Sequence, residues 1–590
     1  MPFQRVTGLV CWALLGAAPA MALDREAFIF TRYQLTVEVN PPQGRLAGHG
    51  TITLRNDSTA PQRRAVMQIS STLSWTSIRA GERAVAFVAQ PFVSDVDHTG
   101  SVTEAIVTLP EEVPPGGSVE LAVSYEGEVP ADATRLTRIG TPEEMARRSE
   151  WDRVSPEFTA VRGAGYVAWY PMAAGSANLS DGEGLFLVLA RWKERQARSS
   201  MRVRFQVEAP PLETGMVLAN GEVVPGAASG TGGTWTTEYV WEPLGHVTPT
   251  FAAANFRALL HGGARVYHLP GRESVAAQYA EAATALESLV AEWFGPPKRR
   301  FELVEMAAMP AVSSSRPEAV TRALEVAPYE SGPMLFAPLR PLDRESMELG
   351  LVHQLTHASL RSPRLWVEEG AAHLAQALLR EQQGGRSAAL EYMGGQLPLL
   401  AATEKALAED ADDGEEAASM PSLVTATDEV FYRTKAMYVW WMLRDLVGEA
   451  ALKRALRAYR AEEDDSPAYV QRLVEKESGK KLEWFFDDWV YRGRGLPDFR
   501  IAAAYPRPTL AGAYTVTVTV ENLGGAGAEV PVTVRATGGY VTERVLVPAN
   551  SKAVVRLQVP TRPLEATVND ASVPESDASN NSAPISAEAR

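Results

Sequence analysis

The feature that most constrains this chain is a pair of histidines four residues apart, followed by a glutamate and a glycine. His353 and His357 lie in the run Leu351–His357, and Glu369 and Gly370 lie in the run Leu365–Ala371. Residues four apart on an α-helix differ in direction by about 40°, so both imidazoles project from one face. A second helix that starts close to Gly370 turns Glu369 back toward this pair.

These three side chains predict a metal site. Neutral imidazole suits zinc, and a carboxylate is a natural third ligand. Three protein ligands leave one coordination position open, which is typical of a catalytic metal. Three of the eight histidines, His353, His357 and His373, lie within twenty-one residues. Two histidines on an apolar helix also occur as ordinary core residues, and this alternative stays open.

The motif resembles that of the gluzincin metallopeptidases, in particular the membrane alanyl aminopeptidase family. The family signature is His-Glu-x-x-His followed downstream by a Trp-x-x-Glu-Gly helix, and residues 353–357 and 366–370 carry the likeness. The resemblance implies a thermolysin-like catalytic domain with zinc held by His353, His357 and Glu369. It also implies peptide hydrolysis by a zinc-activated water.

The chain departs from this signature at Gln354, where the family carries the glutamate that acts as general base. An amide cannot hold the proton, and general acid-base help is typically worth about 10²- to 10⁴-fold in rate. Glu348 lies about 140° round the helix from His353, and Glu368 is expected to point away from the site, so neither replaces the base. We therefore expect reduced activity. The alternative is a silenced pseudopeptidase that keeps zinc and binds peptides or a protein partner.

Three further comparisons with the family bear on mechanism and substrate. Tyr432 matches the tyrosine that stabilises the oxyanion, although a buried packing tyrosine is the alternative. The Gly-x-Met-Glu-Asn strand that binds a free amino end has no counterpart in the segment Met309–Pro328, where Glu318 or Glu325 could substitute. Eleven residues separate His357 from Glu369. This loop is shorter than in the best-known aminopeptidases, so one wall of the cleft should be shorter.

The first twenty-two residues predict a secretory signal. Arg5 precedes an apolar core from Gly8 to Ala18, and Ala20-Met21-Ala22 forms a cleavage site. We therefore expect an exported protein, periplasmic or extracellular. Cys11, the only cysteine, lies inside this segment, so the mature chain should have neither disulfides nor thiol chemistry.

Charge and hydropathy exclude two classes of partner. The net charge of -15 argues against nucleic acid, whose phosphates an acidic protein repels. No later stretch reaches the eighteen or so apolar residues that a membrane span needs. The expected partners are a peptide or protein substrate, and a protein partner could bind through the β domains.

The 590 residues are too many for one core and predict a multidomain α+β protein. Period-two runs such as Tyr33–Val39 predict a β-rich N-terminal antiparallel domain over residues 23–262. Residues 263–500 predict the thermolysin-like domain. It opens with a strand at Arg265–Pro270, a helix from Ser274 to Phe294 and a strand at Arg300–Met306, and Asp343 is the expected N-cap of the histidine helix.

The remaining segments predict surface features and a third domain. Six carboxylates in Glu409–Glu416 predict a mobile solvated loop, with attraction of a basic substrate as the alternative. Strands return over residues 501–568 and predict a C-terminal β-sandwich. Residues 569–590, rich in Ser, Asn, Asp and Pro, predict a flexible tail.

Overall fold

A computed structural model describes residues 23–181, 184–208, 215–226, 229–231, 233–306, 332, 334–339, 344–412, 421–510 and 512–585. The predicted signal segment, Asp343 and the segment Met309–Pro328 with Glu318 and Glu325 lie outside the described residues.

The N-terminal domain is built from antiparallel β-structure around its own core. Its strands are β1 (Phe28–Asn40), β2 (Arg45–Asn56), β3 (Gln62–Ser70), β4 (Leu73–Ala80), β5 (Arg83–Ala84), β6 (Phe87–Val93), β7 (Ser101–Val113), β8 (Ser118–Glu128), β9 (Thr159–Val161), β10 (Ser200–Glu208), β11 (Met216–Ala219), β12 (Glu222–Val223), β13 (Ser229–Thr231), β14 (Thr234–Trp241) and β15 (Phe251–Ala254). The main sheet has the order β12-β14-β10-β1-β2-β8-β4-β5, with β13 beside β14, and β1 and β10 are parallel. In β1, Tyr33, Leu35 and Val37 are buried while the residues between them are not. This alternation confirms the period-two prediction.

Residues 131–262 are β-rich, as predicted, and also contain three helices that the sequence did not reveal. These are α1 (Thr134–Arg138), α2 (Glu143–Ser149) and α3 (Gly184–Gln196). The apolar run Leu185–Leu189 in α3 resembles a buried strand in sequence. In the structure Leu185 and Trp192, two helical turns apart, are the apolar residues of α3 that are buried. The helical period therefore decides the burial, and a short apolar run cannot reveal it.

The second domain opens with a mixed sheet. Its strands are β16 (Arg257–His261), β17 (Ala264–His268), β18 (Phe301–Glu305) and β19 (Met334–Ala337), and α4 (Glu273–Phe294) connects β17 to β18. Strands β17, β18 and β19 are parallel, whereas β16 and β17 form a hairpin. The predicted strand-helix-strand opening is confirmed. The hairpin crosses the boundary predicted at residue 262, so this sheet begins slightly earlier in the chain.

Helices form the rest of this domain. They are α5 (Arg344–Ser359), α6 (Leu365–Gly394), α7 (Leu397–Asp412), α8 (Ala436–Val447), α9 (Glu449–Ala458), α10 (Tyr469–Ser478) and α11 (Glu483–Phe486), and a π-helical turn at Val430–Lys435 leads into α8. Gly385, with φ of 77°, interrupts α6. The first four residues of the acidic block, 409–412, continue α7 rather than a loop, and the last four lie outside the described residues.

The C-terminal module is a β-sandwich, as predicted. Its strands are β20 (Phe499–Pro508), β21 (Tyr514–Asn522), β22 (Ala528–Ala536), β23 (Gly539–Val547), β24 (Ser551–Val559), β25 (Pro563–Val568) and β26 (Ser582–Pro584). One sheet has the order β20-β21-β24 and the other β23-β22-β25-β26. Its apolar core is continuous with that of the helical domain, and Trp489 Nε1 donates to the carbonyl of Gly527 at 2.8 Å. The sandwich is therefore packed onto the helices.

The predicted flexible tail is packed up to residue 585. Strand β26 pairs with β25, and Val573 and Ile585 are buried in the shared core. Glu575 is buried as well. A polar composition predicted disorder here, but the few apolar residues of the segment are enough to attach it to the sandwich. Among the described residues, no helix has the length and apolar character to cross a membrane.

Candidate metal centre

Helix α5 carries the histidine pair on a side that faces a second helix. Leu351, Val352 and Leu355 belong to the domain core. His353 and His357 are 2% and 4% exposed, so they are buried too, against α6. Gln376 Nε2 donates to the carbonyl of Leu349 at 3.0 Å and ties the two helices together. The relative position of α5 and α6 is therefore set by packing and by a hydrogen bond outside the cluster.

Gly370 allows α8 to approach α6 closely. A Cβ at this position would lie 2.6 Å from the Cβ of Ala436 and 3.0 Å from the ring of Trp440. The rings of Trp366 and Trp440 stack with centroids 5.2 Å apart, and Trp440 Nε1 donates to the carbonyl of Trp366 at 3.3 Å. These contacts hold the first turn of α6, and thus Glu369, against the histidines.

The structure brings the three predicted ligand side chains together. His353 Nε2 and His357 Nε2 are 3.1 Å apart. Glu369 Oε1 lies 3.1 Å from His357 Nε2, and Glu369 Oε2 lies 3.5 Å from His353 Nε2. The potential ligand atoms of these three residues all lie within 4.8 Å of one another. They therefore form one cluster with its donor atoms turned inward.

The cluster fits a zinc ion in both donor chemistry and spacing. Zinc bonds to imidazole nitrogen and carboxylate oxygen are about 2.0–2.2 Å long, so two ligand atoms at a tetrahedral angle lie about 3.3 Å apart. The measured separations of 3.1 to 3.5 Å between the nitrogen and oxygen atoms of the cluster match this ligand-to-ligand distance. Two nitrogen donors and one oxygen donor are a common zinc set. The described residues can thus hold a divalent cation without rearrangement.

The charges within the cluster favour an ionised carboxylate beside imidazole. Burial alone would raise the pKa of Glu369, but the two histidines outweigh it and hold that pKa well below its usual range. Burial lowers the pKa of His353 more than Glu369 raises it. For His357, burial is opposed by Glu369 and then by Glu368, and the pKa rises. The carboxylate is therefore ionised in the fold, as a metal ligand must be.

Gln354 is buried beside the cluster and carries no proton-accepting group. Its side chain is fully buried, and neither its oxygen nor its nitrogen has a hydrogen-bond partner among the described residues. Glu348 is engaged elsewhere: it accepts from Arg344 at 2.6 Å and from Gln383 at 2.7 Å. The prediction that Glu348 cannot replace the missing base therefore agrees with its position.

Glu368 lies behind His357 and outside the cluster of three ligand side chains, in agreement with the prediction that it points away from the site. Its Oε1 lies 3.8 Å from Nδ1 of His357, the ring nitrogen opposite the cluster. Burial raises the pKa of Glu368, and His357 and Arg361 oppose that rise. Consecutive helical residues differ in direction by about 100°, which is enough for Glu369 to reach one nitrogen of His357 and Glu368 the other. Glu368 thus acts on the ring through its charge, at a distance beyond a hydrogen bond.

Tyr432 lies in the π-helical turn before α8 and is buried. It lines a cavity of about 280 Å³ together with Leu365, the first residue of α6, and with Leu185, Phe186 and Leu189 of α3. The cavity therefore lies between the N-terminal and helical domains and reaches the helix that carries Glu369. Tyr432 stays a candidate for oxyanion stabilisation.

Two more charged or titratable side chains at the cluster were not assigned a role from sequence. Arg433 Nε lies 3.7 Å from Glu369 Oε2. The ring of His373 lies 5.0 Å from that of His353 and nearly perpendicular to it. The spacing of His373 four residues after Glu369 was a usable signal, because it places both on one side of α6. For Arg433 the sequence held no such signal.

Comparisons with known proteins agree with this fold. No protein-family model and no curated protein matches the chain. Among solved structures, an M1 zinc metallopeptidase from Deinococcus radiodurans aligns at 16% identity with a TM-score of 0.46, over 80% of this chain and 96% of that one. Aminopeptidase A of Legionella pneumophila, solved with aspartic acid, aligns at 11% identity with a TM-score of 0.55, over 93% of this chain and 59% of that one. The second likeness shows a shared multidomain α+β fold.

Proposed function

We propose that this chain is an exported zinc metallopeptidase of the aminopeptidase-like gluzincin kind, with impaired general-base catalysis. The observation that carries the proposal is the cluster of His353, His357 and Glu369, whose donor atoms have the spacing of a zinc site. The fold shared with an aminopeptidase supports it. The substrate class is peptides.

Each residue of the site has a defined task in this proposal. His353, His357 and Glu369 would hold the metal, with the carboxylate of Glu368 behind the ring of His357. A zinc ion bound there would supply Lewis acidity toward a peptide carbonyl and would acidify a water molecule. Tyr432 stabilises negative charge on the carbonyl oxygen through its hydroxyl. Gln354 can orient a water molecule by hydrogen bonds, but it cannot take its proton.

The cavity beside Tyr432 offers room for part of the peptide. Leu365, which lines the cavity, lies four positions before Glu369 on α6, a distance of about 6 Å along the helix axis. The lining from α3 is mostly apolar, with Leu185, Phe186 and Leu189, and includes the charged Lys193. A peptide bound at the metal can therefore place an apolar side chain between the two domains.

The second candidate function is a silenced pseudopeptidase that binds peptides or a protein partner. The buried amide of Gln354 favours it, because Glu348 is engaged by Arg344 and Glu368 lies at the far nitrogen of His357. Both candidates require zinc. They differ in whether the native chain hydrolyses a peptide bond.

One experiment separates the two candidates. The native chain and Gln354→Glu are purified, their zinc content is measured, and both are incubated with a mixed peptide library. If the protein is an impaired peptidase, the native chain cleaves peptides slowly and Gln354→Glu cleaves them about 10²- to 10⁴-fold faster. A silenced one binds peptides and cleaves them only as Gln354→Glu. Absence of zinc and of cleavage in both proteins would overturn the metal site, and a structural β-rich export protein would then be the better description.

A further inference from the structure

Arg433 is a cation built into the edge of the metal cluster. Its Nε lies 3.7 Å from Oε2 of Glu369, the carboxylate oxygen of the third ligand that also faces His353. Its side chain is 19% exposed and that of Glu369 is 2% exposed, so little water screens the pair. Arg433 follows Tyr432 in the π-helical turn, a kind of helix irregularity that is frequent at functional sites.

The position of Arg433 is held by a second carboxylate. Its Nη1 donates to Oε2 of Glu429 at 2.8 Å, one helical turn earlier. Glu429 is 35% exposed and thus offsets the charge of Arg433 only partly. The charge of Arg433 therefore stays available to the carboxylate of Glu369, 3.7 Å away.

We propose that Arg433 sets the metal affinity of this site by competing with the metal ion for the negative charge of Glu369. This inference rests on the proposed metal site and goes beyond it. Without metal, Arg433 and the two histidines neutralise the carboxylate and keep the cluster assembled. With metal, two cations face one carboxylate at short range, and their repulsion weakens binding. The site consequently holds zinc more weakly, and releases it more readily, than a three-ligand site without such a cation.

The test measures zinc affinity by competition with a chromophoric chelator, which needs no catalytic activity. Arg433→Gln removes the charge, and we expect zinc to bind at least tenfold more tightly. Arg433→Lys keeps the charge, and we expect the native affinity. Glu429→Gln leaves the charge of Arg433 without its counter-ion, and we expect weaker binding than in the native chain. Arg380→Gln, on α6 and paired with Glu345, is the matched control without effect.

The outcomes are distinct from those that test the proposed function. Equal affinity in Arg433→Gln and the native chain, or weaker binding in Arg433→Gln, would overturn the role of Arg433 while the metal site stands. The same change in Arg433→Gln and Arg433→Lys would show a packing role and overturn it as well. Failure of every variant to bind zinc, with circular dichroism showing each one folded, would overturn both the metal site and this inference.

Discussion

Glu369 in the helical domain and Glu575 in the C-terminal sandwich are two equally buried glutamates in opposite electrostatic states. Their exposures are 2% and 4%. The pKa of Glu369 is held well below its usual range, because the histidines outweigh the effect of burial. Burial raises the pKa of Glu575 to about 7, although Asn581, Asn569 and the N–H of Phe499 donate to it.

The difference between these carboxylates shows that the partners, more than the depth of burial, decide the charge of a buried acid. Neutral amide donors lower the pKa of Glu575 only in part, whereas charged or chargeable nitrogens reverse the effect of burial at Glu369. A metal ligand must be an ionised carboxylate, and Glu369 meets this requirement whereas Glu575 does not. Glu575 instead attaches the C-terminal segment to β20.

The largest expected effect that tests this comparison is loss of a ligand. Glu369→Ala should weaken zinc binding by roughly 10²- to 10³-fold, since four ligands share about 10–16 kcal/mol in structural zinc sites. Equilibrium dialysis against zinc measures it. The control is Glu391→Ala, an exposed position on the same helix. Unchanged binding in Glu369→Ala would place the metal elsewhere.

The next effect concerns Glu575 and pH. Its folded pKa of about 7 lies above its model-compound value of 4.5. The stability it contributes is therefore full below about pH 4.5 and is lost as the pH rises through 7, by about 3 kcal/mol. Amide hydrogen exchange of β20 and β25 between pH 5 and 8 should show this loss in the native chain and a flatter profile in Glu575→Gln. Glu565→Gln, which changes a half-buried glutamate of β25 paired with Arg535, is the control, and identical profiles for native and Glu575→Gln would contradict the prediction.

The smallest effect is expected at Glu368, which touches a ligand but is not one. Glu368→Ala removes the carboxylate behind His357, and partners of this kind are typically worth about 10- to 100-fold in metal affinity. Zinc competition measures the loss beside the same Glu391→Ala control. A loss of zinc affinity as large as in Glu369→Ala would mean that Glu368 acts as a metal ligand as well, which would contradict its assignment as a residue behind His357.

The sequence predicted the order of domains well because local periodicity reports burial. The alternation in β1 and the long apolar stripe of α4 both survive in the structure. The failures occurred where a segment is short or polar. Helix α3 has few buried side chains, and the C-terminal segment is anchored by Val573 and Ile585 rather than by a repeating pattern.

At the site, the sequence by itself determined that His353 and His357 share one helix face and that position 354 has no proton acceptor. Both follow from the fixed geometry of the helix and from side-chain chemistry. Only the tertiary structure decided that Glu369 reaches both rings, that Glu368 lies behind His357 and that Arg433 borders the third ligand. These contacts join separate helices, so they depend on how α5, α6 and α8 pack. No local sequence pattern encodes the distances between these helices.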